Sequence, residues 1–156
     1  MCKLKVIEKC KEASEWQSPI IIVEKPNKSM RVCLDPRELN KNIIRETFQI
    51  PTLGEIKLDL CNKKIFTLLD LKDGFHQCKL EKNSQNYCCF STPFGSYKYL
   101  RLPFGLASAP DKFQELTFKY FGNIKNVNVY FDDILISGAT KEEHDNALNI
   151  VLSKAR

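Results

Sequence analysis

The 156 residues predict an α+β protein in which short strands joined by tight turns alternate with a few amphipathic helices. Three observations carry this. Runs of β-branched and aromatic residues recur at 20–23, 64–69, 87–91, 97–102, 127–131 and 134–136, each bounded by Pro, Gly, Asn or Asp. Two stretches, 108–122 and 140–152, have apolar residues at helical spacing behind a Ser or Thr cap. Between the last two strand runs stands Tyr130-Phe131-Asp132-Asp133, a tight turn bearing adjacent carboxylates.

Residues 1–17 are rich in Lys and Glu, carry one aromatic residue, Trp16, and show no period, so no element is assigned to them. Ser18-Pro19 opens Ile20-Ile21-Ile22-Val23, predicted to be a buried strand, and Pro26-Asn27-Lys28-Ser29 turns it into a returning strand at 31–34. Lys25 and Arg31 near the tip are either solvated edge charges or a phosphate clamp, for which Arg offers a bidentate fork and Lys a point charge. Asp35-Pro36-Arg37-Glu38 reads as a helix start with Asp35 as N-cap and Pro36 at the first position. Gln49-Ile50-Pro51-Thr52 is a break, and Leu53, Ile56, Leu58 and Leu60 favour a helix after it.

The apolar strand at 64–70 ends on Asp70, and Asp73-Gly74 turns the chain immediately. Residues 77–80, 87–91 and 97–102 read as further strands, with Pro93-Phe94-Gly95 turning between the last two. Ser108-Ala109-Pro110 starts a helix with Phe113, Leu116, Thr117 and Tyr120 on one face, closed by Gly122-Asn123. Thr140 starts the last helix, whose apolar side is Ala147, Leu148, Val151 and Leu152; His144 is expected on its exposed face. Neither His76 nor His144 has metal-ligand spacing.

Hydrophobic content of 43% and charged content of 28% are those of a globular chain, long enough to bury about 70% of its unfolded surface. No apolar run approaches the roughly 18 residues of a membrane span, and the first residues lack a signal-peptide core, so an intracellular location without a membrane partner is expected. A net charge of +5 is compatible with polyanionic partners. Seven cysteines without a C-x-x-C pair argue against a disulfide framework and a zinc site, and are expected to be reduced and mostly buried.

Asp70 and the Asp132-Asp133 pair stand out as candidate metal ligands. If their strands are neighbours in one sheet, the carboxylates converge at one edge and can hold two divalent cations about 4 Å apart, an arrangement suited to nucleotidyl transfer. Taken alone, each Asp also suits a turn or a cap.

The motifs together resemble the reverse transcriptases of LTR retrotransposons, most closely the Ty3/gypsy type. The resemblance is carried by Ser18-Pro19-Ile20, Arg31-Val32-Cys33-Leu34-Asp35 with Arg37-Glu38-Leu39-Asn40, Leu69-Asp70-Leu71-Lys72-Asp73-Gly74-Phe75-His76-Gln77, Leu102-Pro103-Phe104-Gly105-Leu106-Ala107-Ser108-Ala109-Pro110 and Tyr130-Phe131-Asp132-Asp133-Ile134-Leu135. Phe104, where retroviral enzymes usually have Gln, and the Phe75-His76-Gln77 ending favour the Ty3/gypsy branch.

The resemblance implies fingers at 1–44 and 78–108, and a ferredoxin-like polymerase palm at 45–77 and 109–156, an antiparallel sheet backed by helices. It implies an RNA-directed DNA polymerase acting on RNA and DNA template-primers and deoxynucleoside triphosphates with two Mg²⁺ ions, Mn²⁺ being the substitute. Asp70, Asp132 and Asp133 would be catalytic metal ligands, joined by the Leu71 carbonyl. Lys25, Arg31 and the amides of Asp73 and Gly74 would meet the triphosphate. Phe75 would be the steric gate against a ribose 2′-hydroxyl, and Phe104 and Gly105 would line the base-pair pocket; core packing is the alternative for both aromatic rings. Arg37 and Asn40 would touch the template, and Tyr130 and Phe131 the primer end.

Phe131 departs from the smaller aliphatic residue common before the Asp pair, which puts fidelity or local packing in question. Family members continue into a thumb, RNase H and integrase, none of which lies within these residues, so the expected location is the cytoplasm or a retroelement particle, with the nucleus as a further one. The second reading is a truncated or co-opted remnant that folds and binds nucleic acid without polymerising. A nuclease or phosphatase with the same two metals is disfavoured, because neither calls for the Lys25/Arg31 hairpin or an aromatic gate.

Overall fold

A computed structural model describes residues 1–10, 14–26 and 28–155. In chain order the elements are β1 (Ile7–Lys9), β2 (Gln17–Ser18), β3 (Ile20–Glu24), β4 (Met30–Leu34), α1 (Arg37–Asn42), α2 (Leu53–Asp59), β5 (Ile65–Asp70) and α3 (Gly74–Gln77). There follow α4 (Lys82–Gln85), β6 (Cys89–Thr92), β7 (Gly95–Tyr99), α5 (Ala109–Phe121), β8 (Val127–Tyr130), β9 (Asp133–Gly138) and α6 (Lys141–Lys154). The fold class is α+β as expected. The chain divides into two compact units, Met1–Glu46 with Asp73–Ala109, and Thr47–Lys72 with Pro110–Arg156. Residues 73–77 thus cluster with the first unit.

In the first unit β1-β7-β6-β2 form one sheet, antiparallel except for the β2–β6 pair. Its core holds Val6, Leu34, Leu39, Phe90, Tyr99, Leu102 and Leu106, with Trp16 and Phe75 packed against it. β1 lies in the stretch that shows no sequence period; its three residues are too few to display one, and pairing with β7 makes the strand. β3 and β4 form a separate antiparallel ribbon in continuous register from Ile20↔Leu34 to Glu24↔Met30; Asn27 of the expected turn lies outside the described residues.

The expectation of a buried strand at 20–23 is corrected, because Ile22 is 61% exposed and Ile21 and Val23 are also exposed. The ribbon pairs only with itself among the described residues, so the core covers only its Leu34 end. Asp35 is not a cap either: α1 begins after Pro36 without a side-chain cap, and the Asp35 carboxylate lies 3.1 Å from Arg37. Residues 77–80 form the end of α3 and a single bridge, Lys79↔Arg101, in place of the expected strand.

In the second unit β5-β9-β8 is an antiparallel sheet. Its elements run β5, α5, β8, β9, α6, the β-α-β-β-α order with which a ferredoxin-like fold begins. β5 alternates strictly: Ile65, Thr67 and Leu69 are half-buried, whereas Phe66, Leu68 and Asp70 are exposed. Phe121, Ile124, Val127, Val129, Ile134, Ile136, Ala147 and Val151 make the core. α2 opens with a capping box in which Thr52 and Glu55 satisfy each other's backbone N–H groups.

His144 is a further correction: it is 5% exposed, on the same side of α6 as Ala147 and Val151. Its Nε2 lies 2.8 Å from Thr67 Oγ1 and its Nδ1 2.9 Å from Asp145 Oδ1, so a polar ring is buried because both nitrogens find partners. All seven cysteines are free, but only Cys88 and Cys89 are buried, fewer than expected. Among the described residues no helix is long and apolar enough to cross a membrane.

Candidate active site

The β8–β9 hairpin is closed by two residues, Phe131 and Asp132, because Tyr130 and Asp133 are register partners. The turn therefore carries Asp132, while Asp133 is the first residue of β9. Phe131 has a φ of 52°, a left-handed value that a bulky side chain rarely takes. The backbone there is held from inside the unit. The Gln114 side chain on α5 donates from Nε2 to the Val129 carbonyl at 3.1 Å and accepts the Phe131 N–H at Oε1.

On the other side of β9, Asp70 is the register partner of Asp133. The pairing continues past the strand, since the Leu71 N–H donates to the Asp132 carbonyl at 2.9 Å. Asp70 and Asp133 are exposed and Asp132 is half-buried. Like charges on directly opposed residues repel, by about 1 kcal/mol at 4 Å in water. Backbone register thus brings two of the expected ligands side by side, with the third in the adjoining turn. Among the described residues no three His, Cys, Asp or Glu side chains gather into a ready ligand cluster. As a donor set the trio offers only carboxylate oxygens, which fits a hard divalent cation. Tyr130 lies edge-on to Phe131, ring centroids 4.9 Å apart.

The first unit gathers the remaining residues. A cavity of about 350 Å³ is lined by Lys25, Arg31, Asp73, His76 and Phe104, among others. The Phe75 and Phe104 rings stack at 4.9 Å, and the Arg31 guanidinium sits 4.6 Å above Phe104, a cation–π contact that orients its fork. Asp73 precedes α3 with a φ of 52°, and Gly74 behind it is buried.

His76 packs edge-on to Phe104 at 5.3 Å, and among the described residues its buried Nε2 has no hydrogen-bond partner. Burial holds its pKa below the usual histidine value; Lys25, Arg31 and the N-terminal ammonium push the same way, and Asp73 opposes them.

Gly105 has a φ of 111°, and a Cβ there would lie 1.9 Å from the Leu34 carbonyl oxygen. Asn40 fastens the same loop, donating from Nδ2 to the Gly105 carbonyl at 3.0 Å and accepting the Ala107 N–H at 2.9 Å. Among the described residues these bonds leave one N–H of the amide for an outside partner. Arg37 pairs with Asp35 at 3.1 Å.

The sequence reading named His76 only to set it aside as a metal ligand, and it missed Gln114. Gln114 is a polar residue fully buried on a helix of otherwise ordinary pattern, and only the identity of what it faces reveals it.

The family model for reverse transcriptase (RNA-dependent DNA polymerase) matches residues 23–156. The chain belongs to the reverse transcriptase family. This reverse transcriptase chain is 35% identical to the retrovirus-related Pol polyprotein from transposon 412 of Drosophila melanogaster, over 100% of its own length and 13% of that protein. It is 38% identical to the corresponding polyprotein from transposon 297 of the same organism, over 90% of this chain and 14% of the relative. The transposon Tf2-3 polyprotein of Schizosaccharomyces pombe is 31% identical over 88% of this chain and 10% of the relative.

Among solved structures, prototype foamy virus protease-reverse transcriptase aligns with a TM-score of 0.86 at 30% identity, covering 98% of this chain and 20% of that one. Foamy viral protease-reverse transcriptase has also been solved with double-stranded DNA, at a TM-score of 0.84 and 28% identity, covering 98% of this chain and 27% of that one. The reverse transcriptase chain thus spans a small part of each relative.

Proposed function

We propose that this chain is the fingers-and-palm portion of an RNA-directed DNA polymerase that adds deoxynucleotides to a primer 3′-hydroxyl on an RNA or DNA template. The observation that carries the proposal is the register of Asp70 with Asp133, with Asp132 in the adjoining turn. In this reading residues 1–44 and 78–108 are the fingers and residues 45–77 and 109–156 the palm.

Asp70, Asp132 and Asp133 would hold the divalent cations, with the Leu71 carbonyl as an added oxygen. Bound there, Mg²⁺ would supply Lewis acidity toward the attacking hydroxyl and positive charge against the departing pyrophosphate. The chain's own residues do the rest. Lys25 and Arg31 bind the triphosphate, Lys25 as a point charge and Arg31 as a fork that its stack on Phe104 orients. The backbone amides of Asp73 and Gly74 add donors to the same anion. Phe75, fixed by its stack on Phe104, excludes a 2′-hydroxyl by bulk. Phe104 and Gly105 line the base-pair pocket, with Asn40 holding their loop. Arg37 and the remaining N–H of Asn40 meet the template strand, and Tyr130 and Phe131 the primer end.

Relatives of which the chain covers 13% or 14% are Pol polyproteins, which supports reading it as part of a longer polyprotein with a thumb, RNase H and integrase as companions. Foamy viral protease-reverse transcriptase solved with an RNA/DNA hybrid, at a TM-score of 0.77 and 28% identity over 96% of this chain and 20% of that one, supports such a nucleic acid as partner.

Primer extension on poly(rA)/oligo(dT) with Mg²⁺, comparing the chain with Asp132→Asn, tests the assignment. Incorporation should be abolished in the variant with folding nearly intact, because a carboxylate ligand is replaced by an amide of the same size. Activity of the variant within a few-fold of the parent would refute it.

A further inference from the structure

We propose that Gln114 is a positioning residue that holds the Phe131-Asp132 turn in its left-handed form and thereby sets the affinity of the Asp70, Asp132 and Asp133 carboxylates for a divalent cation. The inference rests on the reading of those carboxylates as a cation site. Gln114 is fully buried, on α5, a helix whose inward side is otherwise apolar apart from Thr117 and Asp111. Thr117 bonds back to carbonyls of its own helix, at Phe113 and Gln114. Gln114 reaches into the hairpin instead and uses both ends of its amide there.

The two bonds bracket Tyr130. The donor meets the Val129 carbonyl and the acceptor meets the Phe131 N–H, so the amide spans the last residues of β8 and the first of the turn. Phe131 needs such a hold, because a left-handed φ on an aromatic residue is unfavourable and the chain would otherwise relax to negative φ. That relaxation would swing the next residue, Asp132. It would also break the bond from the Leu71 N–H to the Asp132 carbonyl, which ties the turn to the end of the strand bearing Asp70. A buried amide on α5 therefore controls the relative placement of all three carboxylates through the backbone it binds. Groups that orient metal ligands in this indirect way are typically worth about ten- to a hundredfold in metal affinity.

Mn²⁺ binding, read from the electron paramagnetic resonance signal of free Mn²⁺, tests this on the full chain, with circular dichroism confirming that each variant is folded. Gln114→Leu should weaken Mn²⁺ about tenfold. Adding Phe131→Gly to it should restore most of the affinity, because glycine takes positive φ without a steric cost and needs no clamp. If Gln114→Leu does not fold, Gln114→Asn replaces it; one methylene shorter, it cannot span both backbone groups. A Kd within twofold of the parent in the clamp variant overturns the proposal. So does a tenfold loss that Phe131→Gly leaves unrecovered, since it assigns Gln114 to core packing. A parent that binds Mn²⁺ no better than Asp132→Asn overturns the cation reading itself and this inference with it, and shows before any Gln114 variant is compared.

Discussion

Gly105→Ala should unfold much of what surrounds the Phe104 ring, and its cost can be worked from the structure. A Cβ at Gly105 would lie 1.9 Å from the Leu34 carbonyl oxygen and 3.0 Å from its carbon, both backbone atoms. The two segments would have to part by about 1.5 Å to reach ordinary contact. Leu34 has no room to retreat, being 2% exposed and tied by its N–H to the Phe104 carbonyl at 2.8 Å. Losing that bond costs about 1 kcal/mol. Forcing an alanine to a φ of 111° adds about 1–3 kcal/mol. A total near 3 kcal/mol is therefore expected.

The assay is a urea titration followed by the fluorescence of Trp16, the single tryptophan, which packs on the core of the unit that holds Gly105. Gly54→Ala is the contrast. A Cβ there meets only the Thr52 hydroxyl at 3.8 Å, on a helix, so it should stabilise the chain by up to about 1 kcal/mol in a far-ultraviolet melt. A Gly105→Ala loss below about 1 kcal/mol would refute the reasoning, since neither the clash nor the strain would then be real.

Thr67→Val leaves His144 Nε2 buried without the Thr67 hydroxyl and should cost about 1–3 kcal/mol in urea unfolding; a change under 0.5 kcal/mol would mean that α6 is held by apolar packing alone, on the scale of neutral surface substitutions of about that size. His76 titrates with the opposite sign to a paired histidine. Its folded pKa lies below its unfolded value of about 6.5, so the unfolded state takes up the proton first and stability falls as pH drops below that value, levelling once the folded pKa is passed. His76→Phe should flatten the dependence of the melting temperature in that window, and an unchanged slope would remove His76 as its source. Phe75→Val should admit ribonucleotides in primer extension; unchanged sugar selectivity would take Phe75 out of the gate role.

Much of this molecule is written locally. The turn between β8 and β9, the cap at Thr140, the break before α2 and the carboxylate that ends β5 are each set by residues within a few positions of one another, so the sequence alone determines them. The three Asp residues were legible for the same reason: a carboxylate closing an apolar run is a local anomaly. Which strands adjoin was not. The apolar run of β5 states that it is a strand, yet only tertiary structure decides that β9 and not β8 lies beside it, and that step puts Asp70 opposite Asp133. Burial of polar groups was equally out of reach. His144 and Gln114 are ordinary helix residues until the partners they satisfy, at Thr67, Val129 and Phe131, are brought to them by folding. The exposed ribbon of β3 and β4 shows the converse: a run of isoleucines fixes strand but not burial, because burial depends on whether another layer covers it.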